Sequence, residues 1–252
     1  MFETIEKMKT VFICLFESIL LSLCCCAQVL QNDNEEILRF PNNKVWAHRV
    51  NDTVTALDKE KWFDGMEIDI VYSAYQNKLF VCHDDGDTAH NLTLETWFSA
   101  LKSPKQHYYW LDVKNLNDKT ADSIACKIKN ILNTYGIIHQ AFIESPNEQG
   151  VRIVKNHHLH TSLWVEHIQW SYNDTTRWYN KTSRQIDEIH PDCISSEYNM
   201  FDLLTEKYPE QNILLWHTPA LFTSENAALT RKLCQHPSVK IVLVDYEKPV
   251  DY

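Results

Sequence analysis

The sequence predicts an α/β fold of the TIM (β/α)8-barrel type, in one domain, and three observations lead there. Short apolar runs rich in β-branched and aromatic residues alternate along most of the chain with segments whose apolar residues fall at helical spacing. The strand–helix units repeat every roughly 25–40 residues, about eight times, which implies a parallel sheet covered by helices. Glycine is scarce, four in 252 residues, and no Gly-rich loop of an open nucleotide-binding sheet is present. A closed barrel therefore fits better than a doubly wound sheet.

Strands are expected at 45–50, 66–72, 79–83, 108–114, 141–145, 162–168, 193–197, 213–217 and 239–244. Segment 79–83 follows its predecessor too closely for a crossover helix and is read as an extension of the second strand's region. Helices are expected at 92–101, 118–135, 148–156, 182–189, 200–207 and 224–234. The second of these should stop at Gly136, a natural left-handed terminator.

Composition sets limits on function. The chain is 44% hydrophobic and 12% aromatic, ample for a sizeable core, and its formal net charge is -10. An acidic chain offers no electrostatic footprint for nucleic acid, although a bound cation can reverse the field locally and permit phosphate chemistry. At the N-terminus, Lys7 and Lys9 precede an apolar run over 11–23 and then Cys24-Cys25-Cys26-Ala27. That run is too short to span a bilayer and reads as a signal peptide, 1–27, with Met8 an alternative start. Two processing routes stay open: lipidation at Cys26 or a neighbour, which would attach the protein to a membrane, and plain cleavage after Ala27. Export to a bacterial periplasm or membrane surface, or secretion, follows from either. A polar linker, 28–43, then leads to the barrel, 44–252. Cys82, Cys126, Cys193 and Cys234 are widely spaced, without zinc-type pairs, and read as free buried thiols.

The chemistry gathers at the C-terminal ends of the strands, where a TIM barrel places its active site. His48 and Arg49 end the first strand, Glu67 and Asp69 lie on the second, His83 and Asp84 close the next run, and Asp112 and Lys114 lie on the fourth. Alternation along a strand puts Glu67 and Asp69 on one face, and likewise Asp112 and Lys114. Inward charges on apolar strands are costly unless compensated. A divalent cation held by Glu67, Asp69 and Asp112 would compensate them, and all-oxygen ligation selects Mg²⁺ or Ca²⁺. A structural ion network with Arg49 and Lys114 is the alternative. Glu144, Glu166 and His217 end later strands, as pocket lining or structural hydrogen-bonding groups. His157, His158 and His160 fall at a helix-to-strand junction on the opposite end and read as solvated. Trp164, Trp170 and Trp178 are either an aromatic wall or core.

In order along the chain, WAHRVN, GMEID, LFVCHDD, LDVK, FIESPN, LLWHTP and IVLVDYEKP resemble the glycerophosphodiester phosphodiesterase family over nearly all of 45–250. The resemblance implies a metal-dependent phosphodiesterase in which His48 and His83 are general acid and base. It also implies that Glu67, Asp69 and Asp112 bind the cation and that Arg49 and Lys114 contact the phosphate. Glu144 of FIESPN and Trp216 of LLWHTP are assigned to the substrate wall. The implied substrate is a small phosphodiester or a phospholipid headgroup, attacked by water or by its own neighbouring hydroxyl. The chain departs from the family pattern in three places. It has Val50-Asn51-Asp52 where the family continues with Gly, and it has no room after His83 for the family's small inserted subdomain. It carries Asp112 where the family mostly has Glu, an Asp-x-Lys form similar to spider-type phospholipase D. A catalytically inactive barrel that binds a phosphorylated ligand is the other class left open.

Overall fold

The computed structural model describes residues 37–84, 91–219 and 221–249; the expected signal segment lies outside the described residues. In chain order the strands are β1 (Val45–Ala47), β2 (Gly65–Ser73), β3 (Lys78–Val81), β4 (Tyr108–Val113), β5 (Ala141–Ser145), β6 (Thr161–Trp164), β7 (Cys193–Glu197), β8 (Ile213–Trp216) and β9 (Val239–Val244). Eight of them run parallel in the order β1-β9-β8-β7-β6-β5-β4-β2, and pairing of β1 with β2 closes the barrel. The expected TIM barrel is the observed one. β3 stands outside the ring, antiparallel to the end of β2, as its short spacing required.

The helices are α1 (Thr53–Lys59), α2 (Leu94–Ala100), α3 (Ala121–Tyr135), α4 (Glu148–Asn156), α5 (Thr175–Ile189), α6 (Phe201–Lys207) and α7 (Ser224–Gln235). Side-chain caps fix where several of them begin: Asp52 accepts from the N–H groups of Val54 and Thr55, Asn147 from Gly150, and Asp174 from Arg177. α3 ends at Gly136 with φ 66°, a conformation open to glycine without steric penalty. Two helices depart most from expectation. α1 was not expected, because only Ala56 of its seven residues is buried and no apolar stripe marks it. α5 starts seven residues before the expected 182, since its first seven residues bury only Trp178 and its cap, Asp174, carries the signal.

Strand alternation sorts the core into two parts. One set, which includes Ala47, Met66, Ile68, Leu111, Ile143, Leu163, Ile194 and Val242, packs in a single cluster with helical residues such as Ile124, Ile128 and Val151. The opposite parity supplies Trp46, Trp110, Phe142, Cys193, Leu214 and Ile241, which pack with one another inside the barrel. Leu38 and Phe40, ahead of β1 in the expected linker, join this inner cluster. Gly65 shows how tight it is: a Cβ there would lie 2.0 Å from the Trp46 ring. Trp178 belongs to the outer layer, buried against Tyr208, and not to an aromatic wall.

The cysteine and histidine expectations need correction as well. Cys82, Cys193 and Cys234 are free and buried, but Cys126 is free and exposed. His157 and His160 are not simply solvated. His157 pairs with Asp122 at 2.8 Å and His160 with Asp192 at 3.5 Å, with 26% and 14% of the side chains exposed.

Candidate active site

Strand register places the acidic groups. Asp69 is paired with Asp112, and Asp112 with Glu144, so three carboxyl groups stand at one level across β2, β4 and β5. Glu67 lies two residues earlier on β2 and faces the same side. Glu67 and Asp69 are buried and Asp112 partly so, and one oxygen from each lies within 4.8 Å of the other two.

Nearby donors answer only part of this charge. Lys114 Nζ bonds Asp112 Oδ2 and lies 2.6 Å from Asp69 Oδ1. Asn51 clamps Asp69 from the other side: its Nδ2 donates to Oδ2 at 2.6 Å, and its Oδ1 accepts from the Asp69 N–H at 2.9 Å. The Arg49 N–H donates to Glu67 Oε2 at 2.6 Å, and Arg49 holds a left-handed φ of 51°, costing on the order of 1 kcal/mol for a residue with a side chain. The segment that departs from the family pattern thus supplies two of the contacts that position the acids.

Electrostatics leaves negative charge in surplus. Burial, then the charges of Asp69 and Asp112, push the Glu67 carboxyl well above its usual range. Burial also raises Asp112, although Lys114 opposes it. For Asp69 burial acts upward too, but the Lys114 ammonium and the hydrogen bonds from Lys114 and Asn51 outweigh it and hold the group low. Asp69 Oδ1 is buried, with the Lys114 ammonium 2.6 Å away. Three carboxylates converging in an all-oxygen donor set, with one ammonium among them, fit a hard divalent cation.

The imidazoles flank this group. His48 Nδ1 lies 2.7 Å from Asp245 Oδ1. His83 follows β3; its Nε2 is 3.1 Å from Arg49 Nη2, and its Nδ1 is 3.1 Å from Asp84 Oδ1. A pocket of about 300 Å³ opens over the site, with His48, Arg49, Glu67, Asp112 and Lys114 on its polar side. Trp110, Trp164 and Trp216 supply aromatic lining, the rings of Trp164 and Trp216 having centroids 6.1 Å apart. Asp69 and His83 do not line the pocket. Asp69 is buried beneath it, and His83 joins the group through Arg49.

Of the later strand ends, Glu144 lines the pocket, accepts from Ser162 Oγ at 2.9 Å, and is pushed up to about 8 by burial and by Asp112. Glu166 and His217 have structural partners: Glu166 pairs with Lys181, and His217 is buried with Nδ1 3.1 Å from Thr230 Oγ1. Sequence reasoning missed Asn51 and Asp245. Asp245 had a signal, the Asp of IVLVDYEKP at the end of the last strand, next to His48 once the barrel closes.

No protein-family model matches the chain, and no curated protein resembles it in sequence. Solved structures resemble it in fold. A glycerophosphodiester phosphodiesterase from Parabacteroides distasonis aligns with a TM-score of 0.58 at 15% identity, over 82% of this chain and 94% of its own. A phosphodiesterase of Oleispira antarctica, in complex with the product sn-glycerol-3-phosphate, aligns with a TM-score of 0.57 at 14% identity, over 82% and 94%. A glycerol uptake operon antiterminator regulatory protein from Listeria monocytogenes aligns with a TM-score of 0.51 at 15% identity, over 83% and 96%. At such identities the likeness is one of fold, and that fold is shared by enzymes and a regulator. The class is a TIM barrel with a carboxylate cluster and two imidazoles at one end. Phosphodiesterases of glycerophosphodiesters are among the solved structures whose fold this chain resembles.

Proposed function

We propose that the protein is a metal-dependent phosphodiesterase of the glycerophosphodiester phosphodiesterase type, acting on a small phosphodiester or a lipid headgroup. One observation carries the reading: the Glu67, Asp69 and Asp112 oxygens converge within 4.8 Å beside a pocket that also holds His48, Arg49 and Lys114. The five-residue set read from the sequence and the fold of the aligned phosphodiesterases support the same conclusion.

In this reading the three carboxylates hold Mg²⁺ or Ca²⁺, which supplies charge stabilisation to the phosphoryl oxygens. Arg49 and Lys114 bind the non-bridging oxygens and orient the phosphorus. Arg49 exchanges its contact with His83 Nε2 for the substrate, freeing that nitrogen. His48 accepts the proton of the attacking hydroxyl at Nε2 while Asp245 holds Nδ1–H and stabilises the imidazolium. The freed His83 Nε2 takes up a proton from solvent, with Asp84 beside Nδ1 stabilising the imidazolium, and then delivers that proton to the departing alcohol oxygen. Trp164, Trp216 and Glu144 line the space for the rest of the substrate.

The test is a panel of glycerophosphodiesters and lysophospholipids assayed with Mg²⁺, with Ca²⁺ and with EDTA. Cleavage that needs a divalent cation is expected. Binding of phosphorylated ligands with no cleavage of any phosphodiester under either metal would establish the inactive-barrel reading instead.

A further inference from the structure

A second cluster of reactive side chains lies on the helical layer, between α3 and α4. Cys126, in the second turn of α3, has its Sγ 3.9 Å from Nδ1 of His157, the residue that ends α4. The other ring nitrogen, Nε2, lies 2.8 Å from Asp122 Oδ1. Asp122 and Cys126 are four residues apart on one helix and so share a face. Lys129, one turn further on, donates from Nζ to the His157 carbonyl at 2.8 Å, which fixes the end of α4 and sets a positive charge near the thiol. A nucleophile, a base within reach of it and an acid orienting that base is the arrangement that activates a thiol.

We propose that Cys126, His157 and Asp122 form an activated-thiol site, at which Cys126 is reversibly modified by small-molecule disulfides. His157 Nδ1 takes the thiol proton, and Asp122 holds the proton on Nε2 and stabilises the imidazolium. The Cys126 thiolate attacks one sulfur of R–S–S–R, forming a Cys126–S–S–R bond and breaking the R–S–S–R bond. The displaced thiolate leaves as RSH with the proton from His157. The Cys126 sulfur is oxidised and the leaving sulfur reduced, so electrons balance without a further reagent.

The surroundings favour this thiol over the other described cysteines. Cys126 is exposed, whereas Cys82, Cys193 and Cys234 are buried. Burial also pushes the Cys193 thiol well above its usual range and Cys234 up to about 12. Neither has a comparable base beside it in a solvent-facing position.

The purely structural alternative is that His157 and Asp122 only clip α4 to α3. The full chain is treated with 2-hydroxyethyl disulfide at pH 7, and the adduct is followed by mass spectrometry on the tryptic peptide 120–127. A synthetic peptide of the same residues serves as unactivated reference. Folded wild-type protein should react at Cys126 about tenfold faster than the peptide, and dithiothreitol should reverse the adduct. Asp122→Asn and His157→Gln should each bring the rate down toward that of the peptide. Asp122 is exposed, so its variant carries the test even if His157→Gln fails to fold. A wild-type rate at or below that of the peptide, or one unchanged in the folded Asp122→Asn variant, would overturn the proposal and leave the clip.

Discussion

His48 and Asp245, 197 residues apart in sequence, form a hydrogen-bonded pair 2.7 Å long because β1 and β9 are neighbours in the closed barrel. The register pairs Ala47 with Val244, and the His48 N–H bonds the Val244 carbonyl at 3.0 Å. The residue after each strand end is therefore brought beside the other. The carboxylate holds Nδ1, so Nε2 is the imidazole nitrogen left for other partners.

Asp245→Asn should then impair catalysis without disturbing the cation site. An amide can offer its N–H to Nδ1 and hold the wrong tautomer. We expect kcat to fall by about 10²-fold or more, with Mg²⁺ affinity, measured by calorimetry, unchanged. Loss of metal affinity together with kcat would mean that Asp245 belongs to the ligand set.

The two histidines should separate by leaving group. His48→Ala and His83→Ala should each lower turnover of an alkyl phosphodiester by about 10²–10⁴. With a 4-nitrophenyl ester, whose leaving group needs no proton, the His83 variant should recover most of its activity and the His48 variant little. The reverse pattern would exchange the two roles.

Gly65→Ala tests the inner packing. Its Cβ would meet the Trp46 ring at 2.0 Å, and the ring is buried against Phe142 and Tyr108. The variant should lose about 1–3 kcal/mol in urea denaturation. A loss below about 0.5 kcal/mol would show that the barrel floor relaxes more easily than its packing suggests.

Much of this architecture was legible in the chain. Short apolar runs rich in β-branched and aromatic residues revealed the strands, and alternation along them put Glu67 with Asp69 and Asp112 with Lys114, because both patterns are local. Registers between distant strands are not local, so the contact of Asp245 with His48 and the bearing of Trp46 on Gly65 required the closed barrel. Asn51 looked like a departure from the family pattern, yet it makes both hydrogen bonds to Asp69. α1 escaped notice because a seven-residue helix burying one alanine leaves no periodic signal.

Asp192 should make the fold sensitive to acid. Burial pushes its carboxyl upward, but hydrogen bonds from His160, Lys155 and the Thr161 N–H hold it at about 2, below the usual 3.8. A folded value below the unfolded one means a stabilisation fully present above pH ~4 and lost as pH falls through about 2. The difference corresponds to about 2 kcal/mol. Asp192→Asn should be destabilised by that order at pH 7, and the gap from wild type should close between pH 4 and 2 in denaturation curves. A gap independent of pH would assign the loss to packing.

The proposed function turns on whether Glu67, Asp69 and Asp112 hold a cation. Asp69→Asn is nearly isosteric and removes one charge from a crowded acidic site. Its most direct test is turnover of one glycerophosphodiester titrated with Mg²⁺ or Ca²⁺, in wild-type protein and in Asp69→Asn, both shown to be folded. The account predicts saturable activation of the wild type, abolished by EDTA, and almost no turnover in the variant at any metal concentration. Equal turnover in the two proteins, or wild-type turnover indifferent to EDTA, would contradict it.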